Sequence, residues 1–146
     1  MAMQQFSRSL PMMLYRTLDA VMPRFRRIFK EFGLTEQQWR VLRVLWESDA
    51  VALRELARLT LIPAPSLVGV VDRLETMGLV LRRRSSQDRR VVYVSATRSG
   101  SAIEHQVMPQ VAKAYADLKQ TVDARIWEQL LEGLDQVASA GDERSH

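Results

Sequence analysis

The chain has 146 residues, enough for one domain with a proper core, and 47% hydrophobic with 26% charged residues is ordinary for a soluble globular protein. It has no cysteine, which excludes disulfides, thiol redox sensing and cysteine zinc sites. The net charge is +4, and the segment Arg82–Arg90 carries all of it, with five arginines against Asp88. Charge concentrated in one short ribbon is the footprint expected for phosphate contact, although an arginine-rich hairpin can also be a solvated surface.

The first predicted helix covers Ser9–Phe32, with Leu14, Leu18, Met22, Phe25, Ile28, Phe29 and Phe32 at spacings of three and four. Pro11 suits its first turn, and Pro23 should kink or break it. Arg24, Arg26, Arg27 and Lys30 lie off the apolar stripe and read as a solvated face paired with Glu31. Leu10–Tyr15 is too brief and too charged at its flanks for a secretory signal, and no stretch is of membrane length. A cytoplasmic protein is expected.

Gly33 stops the first helix, and Thr35 with Gln38 forms a capping box for the second, Glu36–Ser48. That helix places Trp39, Leu42, Leu45 and Trp46 on one side and Arg40 and Arg43 on the other. Val51–Ala52 could add a short strand. Leu53–Thr60 is a third helix burying Leu53, Leu56, Ala57 and also Leu59. Leu61–Ala64 is a proline-stiffened turn leading to a fourth helix, Pro65–Met77, stopped by Gly78.

In the fourth helix Leu67, Val70 or Val71, Leu74 and Met77 form the inward stripe. Ala64, Ser66, Val68, Gly69, Asp72 and Arg73 are left outward. A slim leading face of Ala64, Ser66 and Gly69 suits entry into a major groove about 12 Å wide. Close helix packing would favour the same small residues. Strand Leu79–Arg84, turn Ser85–Asp88 and strand Arg90–Ala96 then make a basic hairpin. Thr97 caps a helix starting near Arg98, with Ile103, Val107, Val111, Ala114 and Leu118 on its stripe and Pro109 bending it. Thr121 or Asp123 caps a last helix, and Gly141–His146 is a polar tail expected to fray.

These elements predict a mainly α (α+β) winged helix-turn-helix with a two-stranded basic wing, flanked by N- and C-terminal dimerisation helices. Residues 34–97 form the DNA-binding lobe, and 7–32 and 98–140 the helical dimerisation region of one domain spanning 1–146. The terminal helices carry more apolar surface than such a lobe can cover, which predicts a homodimer. A monomer whose terminal helices pack on themselves is the alternative. No phosphate loop or nucleophile elbow is present, His105 and His146 are isolated, and neither an enzyme nor a metal or cofactor site is expected.

The sequence LTEQQWRVLRVLWES, the LxELA pattern at Leu53–Ala57, VVDRLETMGLVLRR and DRRVVYVSAT together resemble the MarR family of bacterial regulators over nearly the whole chain. The TEQQWRVLR segment is similar to the branch that represses homoprotocatechuate (4-hydroxyphenylacetate) degradation operons. The resemblance implies a dimer on a pseudo-palindromic double-stranded operator, with its half-sites about 10 bp apart. It implies that the fourth helix reads bases, with Ala64, Pro65, Ser66, Gly69 and Arg73 at the DNA. The wing would add Arg83, Arg84, Arg89 and Arg90, and Asp88 would orient Arg90 in the minor groove. It also implies an aromatic carboxylate or phenolic effector, for which Arg16, Trp39, Arg40, Arg43 and Trp46 are the candidates. Repression of aromatic-compound catabolism is the expected role. A protein-interaction module, or an activator without a ligand, is the alternative.

Overall fold

The computed structural model describes residues 5–143. The chain forms two compact units, 1–110 and 111–146, and the division falls inside one helix.

After a 3-10 turn at Phe6–Arg8, α1 runs Leu10–Glu31 without a break at Pro23. Pro23 and Asp19 are both exposed, so water can satisfy the carbonyl that the missing N–H leaves free. Phe25 and Phe29 are buried, but Leu10, Met13, Leu14 and Leu18 are exposed, so only the C-terminal half of the stripe is covered within the chain. Arg26 pairs with Glu36, its Nε 3.0 Å from the carboxylate, rather than with Glu31.

Helix α2 spans Glu36–Leu45, shorter than expected. The Thr35 hydroxyl accepts the Gln38 N–H, and the Gln38 side chain accepts the Thr35 N–H. Val51–Ala52 is β1, and α3 follows directly at Leu53–Thr60. Leu56 and Thr60 are buried in α3, whereas Leu53 and Ala57 are only partly so. Helix α4 is Ala64–Thr76, one residue earlier at each end than the sequence suggested, and Pro65 sits where no helical N–H is needed. Leu67, Val70, Val71 and Leu74 are buried, but Met77 lies beyond the helix and is 41% exposed, not inward.

Strands β2 (Val80–Arg84) and β3 (Val92–Ala96) form the hairpin. The sheet has three strands in the order β1-β3-β2, all antiparallel, with Val51 opposite Val94 and Arg82 opposite Val94 on the other side. Gly33 and Gly78 have φ of +69° and +76°, the left-handed backbone that ends α1 and turns α4 into β2.

Helix α5 (Arg98–Lys119) continues through Pro109. Asp123 caps α6 (Ala124–Glu143), its carboxylate accepting the Arg125 N–H at 2.8 Å. Gly141 and Asp142 are therefore helical rather than frayed, and residues 144–146 of the expected tail lie outside the described residues. Ile126, Leu130, Leu131 and Val137 of α6 are exposed. Among the described residues no helix is long and apolar enough to cross a membrane.

Candidate nucleic-acid interface

Helix α4 presents Ala64, Pro65, Ser66 and Arg73 to solvent, with Gly69 half-exposed. A side chain added at Gly69 would meet nothing closer than an Arg73 guanidinium nitrogen at 4.0 Å. Packing inside the chain therefore does not require glycine at this position.

The turn entering α4 is held from α2. An Arg40 Nη donates to the carbonyl of Thr60, whose hydroxyl donates to Leu56 O at 2.6 Å. Leu61 follows at φ +56° with its side chain 82% exposed.

The wing tip is longer than the expected Ser85–Asp88 turn. It occupies 85–91, closed by the Ser85 N–H donating to Val91 O at 2.9 Å. Ser85 Oγ accepts the N–H groups of Gln87 and Asp88, and Asp88 Oδ1 accepts the N–H of Arg90. These side-chain-to-backbone bonds shape a glycine-free loop, as short polar side chains do in Asx- and Ser-type turns. Arg89 and Arg90 thus sit on the tip, not in β3.

At that tip Arg90 is gripped by Asp88 through two contacts, Nε to Oδ1 at 3.1 Å and Nη2 to Oδ2 at 3.2 Å. The guanidinium is nevertheless 90% exposed. The Arg90 side chain, and then its N–H, hold the Asp88 carboxyl below the ordinary 3.8. Arg84 donates to Arg89 O at 2.9 Å, and Arg83 and Arg89 are exposed.

Arg82 differs from the rest of the run. Its Nη2 lies 2.5 Å from Asp72 and 3.2 Å from Glu75 of α4, so the first arginine of the ribbon is already neutralised. Glu75 first, then Asp72, raises the Arg82 guanidinium pKa.

One prediction follows from the tip geometry. A carbon-detected NMR titration of Asp88 should give a midpoint below 3.8, moving back towards it in Arg90→Ala. The sign follows from a depressed carboxyl: the pair persists above the ordinary value and is lost as pH falls through the lowered one. An unshifted Asp88 would mean the pair does not form in solution.

The effector candidates fall in three separate places. Trp39, Arg40 and Arg43 line an open cleft of about 280 Å³ with Val44, Glu47, Leu59, Thr60 and Leu61. Trp39 stacks on Phe29 at 4.5 Å between ring centroids and meets Trp46 edge-on at 5.5 Å. Arg43 is paired with Glu47 at 2.6 Å. Trp46 is not part of that cleft. Its indole N–H donates to Gly100 O at 2.9 Å, tying α2 to α5, and it borders a second cleft with Glu47, Asp49 and Glu104, a poor setting for a carboxylate. Arg16 lines neither cleft and lies exposed on α1. Leu59, expected to be buried in α3, is 46% exposed and lines the cleft with Leu61, whose exposure goes with its left-handed backbone. Among the described residues no acidic or histidine cluster could hold a metal.

A helix-turn-helix with a solvent-facing second helix, followed by a basic antiparallel wing, defines a winged-helix protein of the DNA-binding kind. The MarR family model matches residues 34–92. The homoprotocatechuate degradative operon repressor of Escherichia coli is 37% identical over 136 residues, 93% of this chain and 92% of that one. The chain therefore belongs to the MarR family of transcriptional regulators and is not an enzyme. Among solved structures, NadR in complex with 4-hydroxyphenylacetate is 30% identical with a TM-score of 0.79, covering 94% of this chain and 98% of NadR. The transcriptional repressor CouR bound to a 23-mer DNA duplex is 29% identical with a TM-score of 0.84, covering 94% and 98%.

Proposed function

We propose that the protein is a cytoplasmic homodimeric repressor of an aromatic-catabolism operon, binding a pseudo-palindromic operator and released by a small aromatic acid. The observation that carries the DNA reading is the wing tip, where Asp88 holds an Arg90 whose side chain is 90% exposed. Ala64, Pro65, Ser66, Gly69 and Arg73 face the bases and adjacent backbone, and Arg83, Arg84, Arg89 and Arg90 meet phosphates and the minor groove. Likeness to a repressor solved on a DNA duplex supports this placement.

The exposed apolar rows of α1 and α6 support the dimer, since contiguous exposed apolar surface marks an interaction site. Light scattering at micromolar protein should give about 34 kDa, twice the 16.8 kDa chain. A mass of one chain would contradict it.

For the effector, Trp39, Arg40 and Arg43 line one cleft, with one face of the indole stacked on Phe29 and Arg43 paired with Glu47. Rings stack on indoles and carboxylates are forked by arginine. At about 280 Å³ the cleft lies just below the usual range of ligand pockets, about 300–1,000 Å³, so it limits an occupant to a single-ring acid. The 4-hydroxyphenylacetate complex of NadR and the degradative operon repressor point to the same chemical class. In a fluorescence anisotropy titration on a duplex selected from a random pool, millimolar 4-hydroxyphenylacetate should release the DNA, and acetate should not. Unchanged binding with that acid and with other hydroxylated aromatic acids would exclude this effector class.

A further inference from the structure

We propose that Arg82 is a positioning residue, a strut that fixes the wing against α4 rather than a phosphate contact. This rests on the reading that α4 and the wing engage one duplex together. Arg82 lies in a run of arginines and looks like its neighbours in sequence, but its side chain is 28% exposed against 90% for Arg90. Its guanidinium reaches back to Asp72 Oδ1 at 2.5 Å and Glu75 Oε1 at 3.2 Å. The second oxygen of Glu75 accepts the main-chain N–H of Arg82 at 3.2 Å. Glu75 therefore grips both the side chain and the backbone of β2, while Asp72, one helical turn earlier, holds the guanidinium from a second point.

The covalent link between α4 and β2 is the short segment 77–79, with Gly78 in the left-handed conformation. Rotation there would swing the whole hairpin, and the wing tip furthest of all. The three-point contact at Arg82 opposes that rotation midway along β2. Both carboxylates meet one terminal nitrogen, Nη2, and with the main-chain N–H held by Glu75 they fix the residue from two directions.

The same contact settles an electrostatic conflict. Asp72 and Glu75 are on the exposed side of α4, with side chains 52% and 42% exposed. Without Arg82 they would present two unpaired negative charges beside a helix that approaches phosphates. Arg82 neutralises them at the cost of its own availability to DNA.

The test removes the contact from each side and reads DNA affinity against salt, using the selected duplex and a random duplex of equal length. Arg82→Gln should weaken binding to the selected duplex by about five- to thirtyfold. Its slope of log affinity against log salt should stay at the wild-type value. Arg83→Gln, losing an exposed arginine, should instead lower that slope by about 0.9 per phosphate contact. The paired variant Asp72→Asn/Glu75→Gln gives the sharper result. Deleting two negative charges strengthens binding to any duplex by charge alone, so affinity for random DNA should rise. A loose wing should still weaken binding to the selected duplex.

Circular dichroism and thermal melting establish that each variant is folded. If Arg82→Gln does not fold, the carboxylate pair, which leaves the arginine in place, carries the test. A salt slope that falls in Arg82→Gln as it does in Arg83→Gln would overturn the strut. So would tighter binding of the carboxylate variant to both duplexes. A wild-type protein that selects no duplex would bring down the DNA reading itself, a different failure from wild-type binding with unaffected variants.

Discussion

Replacing Gly100 by alanine should destabilise the unit 1–110 by at least about 3 kcal/mol, the upper end of what overpacking a well-filled site costs. A Cβ there would lie 2.0 Å from Leu79 O and 3.0 Å from its carbonyl carbon, and backbone cannot move aside as a side-chain end can. The site is a node of four bonds. Thr97 Oγ1 donates to Gly78 O at 2.6 Å and accepts the Gly100 N–H at 3.1 Å. The Thr97 N–H donates to Leu79 O at 3.0 Å, and Gly100 O accepts the Trp46 indole N–H at 2.9 Å. Shifting Gly100 away from Leu79 would pull α5 from the end of α4 and the start of the wing. Urea denaturation monitored by tryptophan fluorescence should show the midpoint fall sharply. A midpoint within experimental error of wild type would contradict the packing described for this junction.

Arg90→Ala should weaken binding to the selected duplex by about 1–3 kcal/mol per wing, with loss of about one salt-dependent contact on each. The side chain is ordered before DNA arrives. Arg90 is held by two contacts to Asp88, Asp88 is held by the Ser85 hydroxyl and the Arg90 N–H, and the guanidinium still faces solvent. Much of the cost of ordering a long side chain is met before DNA arrives, so its attraction to a narrow, electronegative minor groove is little diminished. Because the residue is exposed, folding stability should change by no more than about 0.5 kcal/mol. Asp88→Asn removes a negative charge but loosens the aim, so it should lose less affinity than Arg90→Ala. Unchanged affinity in Arg90→Ala would remove the minor-groove role.

Local signals in the sequence located much of this. LRELARLT carries a helical period between a strand and a proline turn, and α3 has the bounds read from it. Thr35 and Gln38 form their capping box because both partners lie within one turn. What failed was non-local or depended on exposure. The charge run could not show that Arg82 reaches Asp72 and Glu75, because that pairing requires β2 to fold back on α4. Trp46 looked like a ring-binding residue, and its bond to Gly100 spans 54 positions. Pro23 was expected to kink or break the first helix, but α1 runs through it unbroken, with Pro23 and Asp19 both exposed. Met77 kept the apolar spacing of α4 but fell just past its end. The wing tip was read two to three residues short because its shape comes from Ser85 and Asp88 side chains rather than from a glycine.

The claim that α4 and the wing read a specific duplex is tested most directly by selection from a random pool of double-stranded DNA at 0.15 M salt, followed by sequencing. Recovery of a pseudo-palindrome with half-sites about 10 bp apart, lost from the pool when 4-hydroxyphenylacetate is added, is the result predicted for a two-fold symmetric winged-helix repressor. Recovery of sequences with no common element, bound no more tightly than the starting pool, would contradict it.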